Sequence, residues 1–384
     1  FPSLLRCGPA SARRVSAVQR FAVAMIGATV LLLFAPAIHA AQISGEVFRS
    51  DGGFITEASV RVFDETGNTV QTTQVDASGQ YLIDGLAAGN YRIMVSPTPG
   101  GADSQYVTRV HAGRDCNLFC DDTDGVIDGD VVALTAAEAR TIDFTLQLGG
   151  SITGTVTEEL SGDPIEGLGW VFTRDRGKGA GSNLAADGSY TRQPLLPGDY
   201  WVHFEARGAS SDFVDELYLD VACPFRRCDF EALGTPVIVS AGGTVTVDGA
   251  LAQGNTIQGT VTAPDGSPVV GGVTLWQPDG STVATGIETD GGYSFGGLVD
   301  GDYKLLFEAT GASSNLVDEL HDNVPCPGGS CDFGTQGDFL SLTGNSVSTV
   351  DAVLEPGATI QGQVVSALDA TTPIEGRVET MLES

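Results

Sequence analysis

Apolar and polar residues alternate along many short stretches of this chain. Val60 and Val62 flank Arg61, and within residues 91–95 every second residue is Tyr, Ile or Val. A period of two places successive side chains on opposite faces of a strand, so these stretches predict strands with one buried face. Glycine-containing turns such as Pro264-Asp-Gly-Ser267 separate them, as hairpins require. The pattern predicts an all-β protein made of short strands.

The strand pattern recurs with a long period. The motif Ile-x-Gly-x-Val begins at Ile43, Ile152, Ile257 and Ile360, so the units are roughly a hundred residues long. A unit of that length can bury its own apolar face, and seven or eight short strands in it are typical of a β-sandwich. We therefore predict a signal peptide at residues 1–40, sandwich repeats at 41–149, 150–254 and 255–357, and the truncated start of a fourth repeat at 358–384.

The repeats share further positions. Each complete unit has two Gly-x-Tyr triplets, and it closes on an aligned Asp and Leu six residues before the next motif. Such short junctions leave little slack, so we expect a semi-rigid row of modules. The tyrosines recur at fixed spacing and are predicted to be core residues: Tyr81 and Tyr91, Tyr190 and Tyr200, Tyr293 and Tyr303.

Residues 1–40 do not follow the strand pattern. Several arginines precede an apolar run from Phe21 to Ala37, and small residues follow at Ala40 and Ala41. This order is typical of a signal peptide cleaved after Ala40, and the run is rather short for a membrane-spanning helix. We predict bacterial-type export to the periplasm, the cell surface or the medium, with no membrane span in the mature chain.

The charge balance narrows the choice of partners. The chain has 49 acidic and 19 basic residues, a net charge of −30, and the basic residues of the leader are all arginines. The mature part is thus more acidic still, and its field repels nucleic acid and anionic membranes. We predict no nucleic-acid partner.

Outside the leader, the cysteines form three local pairs, and each pair falls at the same place in its repeat. One pair in each repeat makes local disulfides the economical arrangement in an exported protein, whereas a zinc site would need four ligands. The predicted bonds are Cys116–Cys120, Cys223–Cys228 and Cys326–Cys331.

The recurring motifs resemble a known family. Ile-x-Gly-x-Val, then a Val-rich strand, then Asp-x-x-Gly-x-Tyr and a second Gly-x-Tyr are similar to the carboxypeptidase regulatory-like domain, from Gln42 to Gly357. The resemblance implies a transthyretin-like, Greek-key β-sandwich related to the B-type surface modules of bacterial collagen adhesins. Members of this group serve as spacers, as accessory domains of peptidases, and within carbohydrate-binding-like folds.

No catalytic constellation is recognisable in the sequence. The three histidines after the leader, His111, His203 and His321, fall in different repeats, and none lies in a zinc-site motif. A nucleophile elbow, a phosphate loop and a dinucleotide fingerprint are also missing. We therefore predict a protein that is not an enzyme and needs no cofactor, with calcium as the one candidate ion.

The calcium candidate is an acidic stretch that follows the cysteine pair of the first repeat. Carboxylates close together in a glycine-containing loop can supply the six to eight oxygen ligands that calcium takes. The stretch does not follow the twelve-residue calcium-loop spacing, and a solvated acidic loop is the alternative. The candidate ligands are Asp121, Asp122, Asp124, Asp128 and Asp130.

A second candidate site is aromatic. In the second repeat, Trp170, Phe172, Trp201 and His203 occupy the strand positions opposite the predicted core face. If exposed, they would form a flat platform on which a sugar ring could stack. The alternative is that they pack against a neighbouring module.

Three functions agree with these features. The first is a structural and adhesive array of secreted or cell-surface sandwiches, with glycans or surface proteins as partners. The second is a carbohydrate-binding protein, and the third is an accessory segment of a secreted peptidase whose catalytic domain lies elsewhere.

Overall fold

Short strands with alternately buried side chains make up the first repeat. In the first of them Ala41, Ile43 and Val47 are fully buried whereas Gln42 is exposed. The computed structural model describes residues 40–112, 114–116, 129–174, 179–329, 331–358, 362–366 and 373. The strands of the first repeat are β1 (Ala41–Arg49), β2 (Ala58–Phe63), β3 (Thr69–Gln74), β4 (Gln80–Leu86), β5 (Gly89–Pro97), β6 (Arg109–Val110), β7 (Arg114–Asp115), β8 (Val132–Leu134), β9 (Ala139–Thr141) and β10 (Phe144–Leu146).

These strands form two sheets. The smaller sheet has the order β10-β1-β4, with β9 also paired to β1; the larger has the order β3-β2-β5-β6-β7, with β8 paired to β5. Strand β1 is antiparallel to β4 but parallel to β9 and β10. The first and last strands of the repeat are therefore hydrogen-bonded neighbours.

The second repeat has the same arrangement, with sheets ordered β14-β11-β19 and β13-β12-β15-β16-β17; β20 and β18 pair to β11 and β15. Its strands are β11 (Gly150–Glu158), β12 (Gly167–Thr173), β13 (Gly179–Asn183), β14 (Ser189–Leu195), β15 (Gly198–Ala206), β16 (Glu216–Leu217), β17 (Val221–Ala222), β18 (Val237–Val239), β19 (Thr244–Thr246) and β20 (Gly249–Leu251). Two 3-10 turns, Gly208–Ser210 and Pro224–Arg226, and one helical turn, α1 (Phe230–Leu233), complete it.

The third repeat follows the same plan, with sheets ordered β24-β21-β29 and β23-β22-β25-β26-β27; β30 and β28 pair to β21 and β25. Its strands are β21 (Asn255–Thr262), β22 (Gly271–Trp276), β23 (Thr282–Gly286), β24 (Gly292–Leu298), β25 (Gly301–Ala309), β26 (Glu319–Leu320), β27 (Val324–Pro325), β28 (Leu340–Leu342), β29 (Val347–Thr349) and β30 (Ala352–Val353). Its 3-10 turns are Gly311–Ser313 and Pro327–Gly329.

Each pair of sheets encloses its own hydrophobic core. The fully buried members of the three cores lie within residues 41–146, 152–251 and 257–354. The predicted class, an all-β protein of tandem sandwiches, is confirmed. The individual repeat boundaries stay predictions.

The glycine of the Ile-x-Gly-x-Val motif is needed because two segments approach closely there. A Cβ on Gly259 would overlap with the carbonyl oxygen of Val350. The same oxygen accepts a 2.7 Å hydrogen bond from the hydroxyl of Tyr293, the first tyrosine of the repeat. The other repeats repeat these contacts, with Gly45 and Tyr81 at Ile142, and Gly154 and Tyr190 at Val247.

The second tyrosine of each repeat closes a local turn. The Tyr200 hydroxyl donates a 2.7 Å hydrogen bond to the carbonyl oxygen of Leu196, four residues earlier. Tyr91 and Tyr303 bind Ala87 and Val299 in the same way. Both tyrosines are thus buried structural residues whose hydroxyl groups satisfy backbone carbonyls that face the core.

Candidate functional site

The four residues of the aromatic candidate lie together on the outer face of the larger sheet of repeat 2. Trp170 and Phe172 belong to β12, Trp201 and His203 belong to β15, and the two strands pair so that Trp170 is opposite His203. The relative exposure is 8% for Phe172, 4% for Trp201 and 0% for His203. Three of the four side chains are therefore inaccessible.

A segment of the same repeat covers this face. Leu217, Cys223 and Phe230 pack on it, and the Phe230 ring lies 4.7 Å from the Phe172 ring and 5.8 Å from the His203 ring, centroid to centroid. The covering segment runs from β16 through the cysteine pair to α1 and folds back over the sheet. Its apolar side chains exclude water from the aromatic face.

The condition of an exposed platform is therefore not met by Phe172, Trp201 and His203, and the segment that covers them comes from within repeat 2 rather than from a neighbouring module. Trp170 is the half-buried member of the four. Its indole N–H donates a 2.6 Å hydrogen bond to the Glu205 carboxylate, and the guanidinium carbon of Arg226 lies 4.3 Å from its ring centroid. Glycan binding at this patch stays a prediction.

Covered clusters of this kind occur in all three repeats. We call each of them an outer cluster, because it lies on the face of the larger sheet away from the main core. The members are Phe63, Met94, Val110 and Cys116 in repeat 1, Phe172, Trp201, Leu217, Cys223 and Phe230 in repeat 2, and Leu306, Leu320, Cys326 and Phe333 in repeat 3. Each repeat therefore has a third layer.

Disulfides hold the covering segments in two repeats. Cys223–Cys228 and Cys326–Cys331 are bonded, each with a Cα–Cα distance of 5.3 Å. Cys116 is also disulfide-bonded, while its predicted partner Cys120 lies outside the described residues. Bonded cysteines are members of the outer clusters, so the disulfide and the apolar contacts secure the same layer.

His203 has its protonation state set by this burial. Its Nε2 atom lies 3.2 Å from the carbonyl oxygen of Cys223, and since a carbonyl only accepts, Nε2 carries the proton and donates it. Its Nδ1 atom is buried without a partner among the described residues. Burial lowers the pKa of His203 to about 4, so the imidazole is neutral at physiological pH.

The acidic calcium candidate falls mostly outside the described residues, which include Asp130 but not Asp121, Asp122, Asp124 or Asp128. Asp130 is exposed, and its backbone N–H is 3.4 Å from the carbonyl oxygen of His111. Within the described ranges, no group of three or more His, Cys, Asp and Glu side chains is arranged to hold a metal. Calcium binding to the loop stays a prediction.

Calcium is expected to stabilise the chain through this loop if the loop is a binding site. Binding to the folded state alone raises the free energy of unfolding by about 2.7 kcal/mol at a hundredfold excess over Kd. Thermal melts with calcium and with chelator would measure the shift. The double variant D121N/D124N should lose it, and an equal shift in the variant would assign the effect to general screening of the net charge of −30.

The same pair of backbone hydrogen bonds occurs at the end of each of the three repeats, beside the connection to the next segment. The backbone N–H of Gly254 donates a 2.8 Å hydrogen bond to the carbonyl oxygen of Asp212, and the N–H of Val214 donates a 2.9 Å bond to that of Ala252. The corresponding pairs are Gly149–Gln105 and Val107–Gln147 at the first connection, and Gly357–Asn315 and Val317–Glu355 at the third. Each connecting segment is thus tied to one loop of the preceding repeat.

Two cavities lie between repeats 2 and 3. The first, of about 380 Å³, is lined by Phe225 and Asp215 from repeat 2 and by Phe295 from repeat 3, among others. The second, of about 360 Å³, is lined by carboxylates from both repeats, including Glu216 and Asp300. The contact between the two repeats is therefore partly polar and incompletely filled.

Buried carboxylates accompany these cavities. Glu216 is 6% exposed, and its Oε1 atom has no hydrogen-bond partner among the described residues. Burial, reinforced by the charges of Asp220 and Glu159, raises the pKa of Glu216 to about 8. Burial likewise raises the pKa of Asp215, which lines the first cavity, to about 7. The pKa of Glu319, which lies in repeat 3 and lines neither cavity, is also raised by burial to about 7. These groups therefore keep their protons to a higher pH than an ordinary carboxyl group does.

Several of the covering residues could have been recognised from the sequence. The triplet Cys-Asp-Phe occurs at both 228–230 and 331–333, and Val-Asp-Glu-Leu occurs at both 214–217 and 317–320. Repetition of apolar residues beside the cysteines is the signal that a covering segment packs on the sheet.

The chain is similar to known proteins at several levels. Residues 42–147 match the model of the carboxypeptidase regulatory-like domain. Colossin-A of Dictyostelium discoideum is 28% identical over 304 residues, which are 72% of this chain and 3% of that protein. The chain thus spans a small fraction of the length of this relative.

Solved structures also align with the chain. The minor pilin GBS52 of Streptococcus agalactiae has 13% identity and a TM-score of 0.25, covering 56% of this chain and all of the pilin. The major pilin subunit BcpA of Bacillus cereus has 11% identity and a TM-score of 0.20, covering 83% and 100% of the two chains. The TIE protein of Bacillus anthracis has 12% identity and a TM-score of 0.23, covering 82% and 51%. Scores of this size carry no argument about function.

No helix within the described ranges is long and apolar enough to cross a membrane.

The family match falls on the first repeat, where the strand motifs, the paired tyrosines and the two-sheet fold are all present. The resemblance inferred from these motifs is confirmed, since residues 42–147 match the carboxypeptidase regulatory-like domain.

Proposed function

We propose that this protein is a non-catalytic, secreted or cell-surface array whose β-sandwich repeats hold other parts of an assembly at fixed spacing. The observation that carries the proposal is the threefold recurrence of the same hydrogen-bonded connection between a repeat and the segment that follows it. The disulfides support an extracytoplasmic location, because such bonds persist in oxidising compartments.

The recurrent connection favours fixed spacing over a flexible tether for a physical reason. A flexible linker leaves its backbone groups to water, whereas here two hydrogen bonds to the preceding repeat flank each junction glycine. Isolated bridges add to them, with Phe213 paired to Gln253 and Leu316 paired to Pro356. These bonds hold each connecting segment on the preceding repeat up to the junction glycine, which leaves little free backbone between one repeat and the next, so the connected repeats should move together.

Rotational diffusion measured by nuclear magnetic resonance tests the proposal. If the connections hold, backbone amides of all three repeats in the full-length secreted chain should report one rotational correlation time, that of the whole molecule. A shorter correlation time for each repeat, as for independent modules of about a hundred residues, would contradict fixed spacing. Adding moderate salt should leave the result unchanged, because the connections are backbone hydrogen bonds.

An accessory role beside a secreted peptidase is the second candidate. The observation that favours it is the family match at residues 42–147, since the family is described as regulatory-like for carboxypeptidases. Reading the complete coding sequence would test it. A peptidase domain encoded in the same polypeptide would support this candidate, and its absence from the complete reading frame would reject it.

A further inference from the structure

The Cys223–Cys228 loop of repeat 2 has an unusual backbone. Phe225 and Arg226 both have φ of 56°, in the left-handed region that bulky residues rarely adopt. Holding such a residue there costs on the order of 1 kcal/mol or more, and strain of this kind persists where the surroundings fix it. The loop therefore retains two residues that its own conformation disfavours.

The third repeat shows what the same loop looks like without this strain. Its cysteine loop has Gly328 and Gly329 at the equivalent positions, with φ of 63° and 68°. Glycine adopts this conformation without penalty. The backbone shape is thus common to both loops, and the side chains of Phe225 and Arg226 are what repeat 2 has in addition.

The side chain of Phe225 contacts the next repeat. Its ring packs against the hydrophobic core of repeat 3, and it lines the 380 Å³ cavity together with Val283 and Phe295 of that repeat. The backbone of Phe225 is also fixed within repeat 2, because its N–H donates a 3.2 Å hydrogen bond to the side chain of Asp215. Arg226 also borders this cavity, but its guanidinium carbon lies over the Trp170 ring within repeat 2.

We propose that the Cys223–Cys228 loop is a clamp between repeats, in which Phe225 anchors repeat 3 and the disulfide and Asp215 hold the anchor in place. The partner of this surface is the edge of the following β-sandwich at which β23 and β24 end the two sheets. The inference deepens the proposed function, on which it rests, because it assigns the fixed orientation of repeats 2 and 3 to a named side chain. A repeat with glycine at this position lacks the anchor.

Distances between spin labels in the full-length chain test the clamp. One label pair spans repeats 2 and 3, at the exposed positions Leu160 and Val347; a reference pair spans repeats 1 and 2, at Val70 and Leu160. The labels are attached through an unnatural amino acid, so that the native disulfides are preserved. The unsubstituted clamp is expected to give narrow distance distributions for both pairs.

F225G copies the glycine of repeat 3, so it removes the ring and relieves the strain. We expect the 160–347 distribution to broaden at least twofold, with the 70–160 distribution unchanged. The matched control R226G makes the same change at the neighbouring strained position, and it should keep both distributions narrow. C223A/C228A should broaden the 160–347 pair as F225G does.

Each result has a defined meaning. A narrow 160–347 distribution in F225G, or equal broadening in R226G, would overturn the clamp while leaving the proposed spacing intact. A broad 160–347 distribution in the unsubstituted chain would overturn the clamp and, for repeats 2 and 3, the proposed fixed spacing as well. Broad distributions for both pairs would overturn the clamp and the proposed function together. The strain predicts one more difference: F225G should not lower the melting temperature of repeat 2 itself.

Discussion

Replacing Glu216 by glutamine is expected to stabilise the folded chain at pH 8 and to have a much smaller effect at pH 5. Glu216 is buried, its Oε1 atom has no partner among the described residues, and its pKa is raised to about 8 from the usual 4.5. Ionisation of this group in the folded state is therefore costly. Glutamine retains the shape without the ionisable proton.

The sign follows from the two states. A carboxyl group with a raised folded pKa contributes stability that is fully present below the unfolded pKa and is lost as the pH rises through the folded pKa. For Glu216 the loss falls between pH 4.5 and about pH 8. One pKa unit corresponds to about 1.4 kcal/mol, so the stabilisation by E216Q at pH 8 should be on the order of a few kcal/mol.

The free energy of unfolding of repeat 2 would be measured by denaturant unfolding at several pH values, with hydrogen exchange as the probe. E231Q is the matched control, because it removes one charge from an exposed position of the same repeat. It should change stability by less than about 0.5 kcal/mol at either pH. An equal gain from E216Q at pH 5 and pH 8 would show that packing, rather than ionisation, is responsible.

Replacing Gly259 by alanine is expected to destabilise repeat 3 by about 3 kcal/mol, near the upper end for overpacked sites. The added Cβ would overlap with the carbonyl oxygen of Val350, which is backbone and already accepts the Tyr293 hydroxyl. Relief requires the pairing of β21 with β29 to open. Hydrogen exchange should show lost protection in these two strands first.

G286A is the matched control in the same repeat. A Cβ at Gly286 meets nothing within 4 Å, and its backbone is not left-handed. The same substitution should therefore change the free energy of unfolding by less than about 1 kcal/mol. If both variants are equally stable, the close approach of the Val350 carbonyl oxygen is not the reason why the motif has glycine at this position.

Local pattern was sufficient to predict the strands and their inner faces. The period-two alternation around Val60 and Val62 marks side chains that are fully buried, and the recurring tyrosines are core residues as predicted. The reason is that a strand's buried face depends mainly on its own residues and on the sheet opposite, which repeats in every unit. The motif glycine also follows from this repetition.

The outer clusters could not be located by the same reasoning. Alternation tells which side chains point away from the core, but a covering segment can bury that side too. Residues 200–204 read Tyr-Trp-Val-His-Phe, a nearly continuous apolar run that is typical of a strand buried on both faces. Alternation therefore places Trp201 and His203 on the outer face but does not tell that this face is buried.

Contacts between repeats could not be predicted from the sequence, for a different reason. The short junctions predicted limited slack, but they do not specify which atoms meet. The strain at Phe225 is visible only in the backbone angles, and the unpaired Oε1 atom of Glu216 only in the packed structure. What Phe225 and Glu216 meet beyond repeat 2 depends on the relative placement of two domains that have separate cores.

The parallel pairing of first and last strands determines how each repeat meets mechanical tension. In repeat 1 the chain enters at the start of β1 and leaves along β10, where Arg49 lies opposite Leu146. A pull on the two ends therefore slides β1 lengthwise against β9 and β10, and it loads their hydrogen bonds together in shear rather than one after another. The same geometry recurs in β11 with β19 and β20 and in β21 with β29 and β30. A pull on the chain is therefore resisted by three equivalent sets of parallel strands, each loaded in shear.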